Sequence, residues 1–203
     1  KMLNSNNKKT NHRLDSTKKY IDDLSKNYSK LNIVRVDLGY TKKDSKKVTF
    51  EDANNHFKNM LNNTRSKPTV FGEMVGYIAK KEIGEDKGVH IHTLFIYDGN
   101  KVREDITKAE QIGEYWKKDI TKGKGLFHNC SKNEYKNKGI GIIDHRDKEK
   151  RKILDENVLP YLCKDEQNEN TLKTNSKDRT FTRGIVKKTK SNAGRPRSVS
   201  NNK

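Results

Sequence analysis

His90-Ile91-His92 spaces two imidazoles by a single residue, which on a β-strand puts both on one face and Ile91 on the other. Two neutral imidazoles on one face can share a divalent ion. The pair by itself is more often a surface or packing pair than a metal site, so its surroundings must decide. Glu82 precedes the turn-rich Gly84-Glu-Asp-Lys-Gly88, and a hairpin there returns the chain to His90 with a carboxylate across from the histidines. Two imidazoles and one carboxylate, with positions left open, suit Mn²⁺ or Mg²⁺, whereas a closed structural zinc site wants a fourth protein ligand. Glu82 is otherwise an ordinary solvated acid beside a turn, and Glu73 is the spare acid on the same segment.

Tyr161-Leu-Cys-Lys164 sets a phenol and an ammonium three apart, hence neighbours on a helical face. A free tyrosine, with a pKa near 10, is a poor nucleophile at neutral pH unless a base, a metal or a cation favours the phenolate. Lys164 can steady phosphate charge or help Tyr161 deprotonate. Read without the histidines, Tyr161 is half-buried core and Lys164 a solvated cation.

Several elements must position these groups. Ile33, Arg35 and Asp37 alternate with Val34, Val36 and Leu38, which predicts a first strand over 31–40. Val70–Glu82 and Val89–Tyr97 predict a second and third strand forming an antiparallel hairpin, with Gly72 and Gly76 at bulges. A fourth strand is expected at Gly139–Asp144. Helical spacing appears over Tyr20–Leu31, Phe50–Leu61 and Ala109–Ile120, and again from Lys148 to Leu162, where Pro160 demands a kink or the start of a new turn. The economical fold class is α+β: a central antiparallel sheet of about five strands flanked by helices.

Residues 1–19 are polar and lysine-rich and read as a flexible basic lead-in, residues 20–186 as one domain, and residues 187–203 as a basic disordered tail. A formal net charge of +18 favours an anionic partner, nucleic acid before membrane, although abundant Lys and Asn also fit the codon bias of an AT-rich genome. No apolar run is long enough to cross a bilayer and no secretion signal is visible, so a cytoplasmic protein is expected. Cys130 and Cys163 lack a CxxC spacing and read as reduced thiols. Trp116, His128 and His145 read as core or surface residues, and Gly194-Arg-Pro-Arg197 resembles a minor-groove hook only faintly.

Taken in order, Val34–Leu38, Gly76–Glu82, Gly88-Val-His-Ile-His-Thr-Leu-Phe95, Gly139-Ile-Gly141, Tyr161-Leu-Cys-Lys164 and Arg179-Thr-Phe-Thr-Arg-Gly184 resemble the HUH endonucleases, and within them the filamentous-phage (inovirus) replication initiators. The resemblance runs from about Ile33 to Gly184. It implies an RRM-like palm, His90 and His92 as paired metal ligands, Glu82 as the acidic third ligand, Tyr161 as the residue that becomes linked to DNA, and Lys164 as the lysine of the nucleophile motif. Asn157 stands one helical turn before Tyr161, so the two-tyrosine form is absent. The implied activity is nicking and joining of single-stranded or extruded hairpin DNA at an origin, through a 5′-phosphotyrosine and a free 3′-OH that primes rolling-circle replication of a phage, plasmid or integrated element.

Arg35, Arg179 and Arg183 are candidate phosphate contacts, against solvated or salt-bridged surface roles. No phosphate-binding GxxxxGK[ST] loop is present, so a host helicase and a polymerase are expected partners. A single-tyrosine transposase or relaxase-like strand transferase shares this chemistry. A non-enzymatic basic DNA-binding protein accounts for the charge but not for the aligned His pair, Glu82 and Tyr161-Lys164.

Overall fold

The computed structural model describes residues 2–84, 86–164 and 179–188. Three long strands carry the architecture: β1 (Lys30–Tyr40), β2 (Met74–Gly84) and β3 (Gly88–Asp98). β2 and β3 form the expected hairpin, and β1 pairs along the other edge of β3, all antiparallel. The outer edge of β1 is shared end to end by β4 (Gly125–Asn129) and β5 (Gly141–Asp144), and β6 (Phe181–Arg183) closes the outer edge of β2. The result is a six-stranded sheet in the order β4-β1-β3-β2-β6, with β5 on β1.

Because side chains alternate across a strand, each face of the sheet collects its own apolar set. Val34, Val36, Leu38, Ile91 and Phe95 face α2 (Phe50–Asn62) and α4 (Asp105–Tyr115), where Phe57, Met60, Ile112 and Trp116 complete one core. Ile33, Ile78, Leu94 and Ile96 face the opposite layer, built from α1 (Met2–Asn27) and the 148–163 helical stretch, with Ile21, Leu24, Leu154 and Leu162 filling the second core. The fold is α+β, a sheet between two helical layers, as the periodicities predict.

The N-terminal segment differs from expectation. Residues 2–19 belong to the helix α1 and are not a flexible lead-in. Counting large apolar groups misses what orders this segment, because its docking is mostly polar: Arg183 Nη1 donates to the Ser16 carbonyl at 2.9 Å, Arg151 Nη2 to that of Lys18 at 3.1 Å, and the Arg13 guanidinium lies 4.8 Å from the Phe181 ring centroid. Further along, Leu24 is only 1% exposed. Leu24→Ala should cost about 2–5 kcal/mol of stability, read as a lowered urea midpoint with an unchanged m-value.

The second strand begins at Met74 and not at Val70, since Pro68 opens a single helical turn, α3 (Pro68–Phe71), at a position where a missing N–H costs nothing. The register of β2 slips between Met74 and Gly76, so Gly76 does sit at a bulge. A Cβ there would collide with the Tyr20 hydroxyl, which fixes how closely α1 approaches the sheet. Pro160 is resolved in the second of the ways its chemistry permits. α5 (Lys148–Ile153) loosens into a π-turn over Leu154–Val158, and Pro160 lies in the first turn of a fresh helix, α6 (Leu159–Cys163). Of the expected tail 187–203, residues 189–203, including Gly194–Arg197, lie outside the described residues. Cys130 and Cys163 are free and buried, and burial pushes the Cys130 thiol up to about 12. Trp116 is core, its indole N–H donating to the Gly39 carbonyl at 2.9 Å.

Candidate functional site

On the face covered by α1 and α6, the apolar packing gives way toward one end of the sheet to a row of charged groups. Register explains why: Asp37 on β1 pairs with His92 on β3, and His92 pairs on its other side with Lys80 of β2. Glu82 is directly across from His90. Asp37, His92, Lys80, Glu82 and His90 therefore share one face, two residues apart along each strand.

Glu82, His90 and His92 each offer a ligand atom, and these atoms all lie within 4.8 Å of one another. Nε2 of His90 and Nε2 of His92 are each 3.2 Å from the same oxygen, Glu82 Oε2. Behind them, His90 Nδ1 is 3.1 Å from the carbonyl of Gly88, and His92 Nδ1 faces Asp37 Oδ1 at 2.9 Å, an ion-pair approach whose angles fall outside hydrogen-bond geometry. Gly88 turns the chain into β3 at φ +64°, and a side chain there would run into the Ser45 carbonyl. Both Nε2 atoms thus point inward, with the outer partners fixing ring orientation as they do around bound metals. The trio can hold a divalent metal ion.

Burial opposes charge on His92, but the Asp37 and Glu82 carboxylates on its two sides outweigh it and push the imidazole up to about 9. Burial likewise opposes the Glu82 carboxylate. Hydrogen bonds from His90, His92 and Lys80 nevertheless hold it well below the usual carboxylate range. Without metal His92 is paired with a carboxylate on each side, and a divalent ion binding there would take the place of a proton on that imidazole. Asp37→Asn should weaken Mn²⁺ binding by about 10- to 100-fold, measured by Mn²⁺ titration, because His92 then loses the carboxylate that orients it and raises its basicity. Affinity within twofold of the parent protein would show that Asp37 has no such part.

Tyr161 comes to this trio from α6. Its hydroxyl lies 3.2 Å from His92 Nε2, the two rings meet edge-on at 5.1 Å between centroids, and the residue is still 44% exposed. Arg35, also on β1, stacks its guanidinium 5.7 Å from the Tyr161 ring centroid. Its Nε is buried without a hydrogen-bond partner among the described residues.

The other expected residues fall elsewhere. Lys164 is exposed at the C-terminal cap of α6, and a different ammonium, that of Lys80, lies over the Tyr161 ring. Arg183 is engaged with α1, donating to the Ser16 carbonyl and lying over Tyr20. Arg179 is exposed just before β6, its carbonyl accepting from Lys81 Nζ at 3.3 Å. Glu73 stands before β2, paired with Lys101 at 3.2 Å, and is not part of the cluster. His128 and His145 make separate contacts with Asn133 and the Ser29 carbonyl. Two members of the site, Asp37 and Lys80, were not expected as such. Lys80 was within reach of the alternation rule, being two residues before Glu82. Asp37 needed the register of β1 against β3.

The family model described as the YagK/YfjJ C-terminal domain matches residues 1–184. The chain belongs to this family. The YagK/YfjJ match takes in the whole of α1, all six strands up to Arg183, and each of Asp37, Lys80, Glu82, His90, His92 and Tyr161. Neither curated proteins nor solved structures yield a match to the chain.

Proposed function

We propose that this YagK/YfjJ-family chain is an HUH-type enzyme that nicks and rejoins single-stranded DNA through Tyr161. The observation that carries this reading is the 3.2 Å approach of the Tyr161 hydroxyl to His92 Nε2, inside a His-His-Glu donor set. A nucleophile placed on a metal-binding trio is what phosphoryl transfer requires, since its demands are positioning and charge neutralisation. Glu82, His90 and His92 would hold a divalent ion, Mn²⁺ or Mg²⁺, which when bound would supply Lewis-acid chemistry toward a scissile phosphate.

The tyrosine oxygen forms a bond to phosphorus as the bond from phosphorus to the 3′-oxygen breaks. Tyr161 loses its phenolic proton, the departing 3′-oxygen gains one, and a 5′-phosphotyrosine with a free 3′-OH remains. One phosphodiester replaces another, so the covalent link retains the energy for rejoining. Arg35, beside the Tyr161 ring, is suited to the phosphate, and exposed Arg179 to the strand beyond it; Arg183 is a tether of α1. A lysine-rich surface adds sequence-independent, salt-sensitive affinity.

In this reading the 3′-OH primes rolling-circle synthesis of a phage, plasmid or integrated element at an origin, in the bacterial cytoplasm, with a host helicase and polymerase. Among the described residues no helix is long and apolar enough to cross a membrane. Incubated with Mn²⁺ and a library of single strands and hairpins, the protein should form a protein–DNA adduct that survives denaturation. Chelation before mixing should prevent it. Cleavage without any covalent species would sink the tyrosine mechanism, and an adduct indifferent to chelation would sink the metal.

A further inference from the structure

Lys80 is the least expected member of the site. It lies in the middle of β2, 1% exposed, where a bare ammonium could not be kept without close partners. Its Nζ lies 2.6 Å from Glu82 Oε1, 3.5 Å from the main-chain carbonyl oxygen of Tyr161 and 5.4 Å from the Tyr161 ring centroid. The two oxygens of Glu82 are therefore divided. Oε2 faces both imidazoles at 3.2 Å, while Oε1 is taken by the lysine. One ammonium thus touches the acidic ligand and the proposed nucleophile, which belong to different layers of the fold.

We propose that Lys80 is a positioning residue that restricts Glu82 to one metal-facing oxygen and pins Tyr161 over the donor set. This rests on the metal-and-tyrosine reading of the site. Its physical consequence is a trade. A fixed cation beside a divalent ion repels it, and a carboxylate with one oxygen occupied cannot chelate through both, so Lys80 weakens metal binding. In return it fixes where the tyrosine stands, and a displacement of about 1 Å at such a site can cost about 10²-fold in rate. A lysine that merely filled space would change both quantities in the same direction when removed.

Lys80→Met keeps the length and apolar body of the side chain and removes the charge. Titration with Mn²⁺ alone, following free Mn²⁺ by its electron paramagnetic resonance signal, should show binding about tenfold tighter than in the parent protein. At saturating Mn²⁺, adduct formation should fall by about 10- to 100-fold. Mn²⁺ affinity that weakens or stays the same, or an undiminished adduct rate, overturns the proposal. If Lys80→Met does not fold, the same pair of measurements is made on Lys80→Gln, which retains hydrogen-bond donors without the charge; tighter Mn²⁺ binding is again required. A parent protein that binds Mn²⁺ but forms no adduct overturns the nicking reading and the pinning of Tyr161, while the Mn²⁺ comparison still decides whether Lys80 restricts Glu82. A parent protein that binds no Mn²⁺ overturns both.

Discussion

Tyr161→Phe is expected to abolish the covalent protein–DNA adduct, a loss of at least about 10³-fold in nicking, while leaving the protein folded and able to bind Mn²⁺. The substitution removes one oxygen from a ring that is 44% exposed, so no core packing is lost and stability should change by no more than about 0.5 kcal/mol. The His92 Nε2 that the hydroxyl approaches keeps Glu82 as a partner. Adduct yield on denaturing gels, alongside an Mn²⁺ titration of the same preparation, checks both halves. An adduct that persists in the Phe variant would move the nucleophile elsewhere. Loss of Mn²⁺ binding together with the adduct would make Tyr161 a structural partner of His92 and nothing more.

The second large effect is expected from His92→Ala. This imidazole is more buried than His90, and it lies between Asp37 at 2.9 Å and Glu82 at 3.2 Å, with the Tyr161 hydroxyl also at 3.2 Å. Removing it deletes one ligand and leaves two half-buried carboxylates facing each other, which should cost about 1–3 kcal/mol of stability. Mn²⁺ affinity should fall by at least about 10²-fold and nicking should become undetectable. Gel-shift affinity for single-stranded DNA at low salt should stay within a few-fold, because it comes from lysines and arginines spread over the surface. The outcome that contradicts the metal role is the reverse one: retained nicking with lost binding.

Much of this site is legible in the amino-acid sequence, for a physical reason. A strand has a period of two, so His90 and His92 must share a face whatever surrounds them, and the short turn 84–88 must return Glu82 to their neighbourhood. The helix 50–62 shows its apolar stripe and carries a capping box, Thr49 with Asp52, that marks its start. These are local rules. β4 and β6, five and three residues long, show no such pattern, because strands this short exist only where a longer strand presents an open edge. α1 is legible only from Tyr20 onward, where its apolar residues begin. Just before those residues, the Ser16 and Lys18 carbonyls are held by Arg183 and Arg151 from distant parts of the chain.

The same division runs through the chemistry. The sequence by itself determined the donor types, the common face of the two histidines and the opposition of Glu82, since each follows from backbone geometry over fewer than a dozen residues. Only the tertiary structure decided that Tyr161 meets His92, that Asp37 stands behind that imidazole, and that Lys80 and not Lys164 lies over the tyrosine ring. Those contacts depend on the register of β1 against β3 and on how α6 packs across the sheet after Pro160. They are set by the burial of two whole faces at once, which no short window of sequence contains.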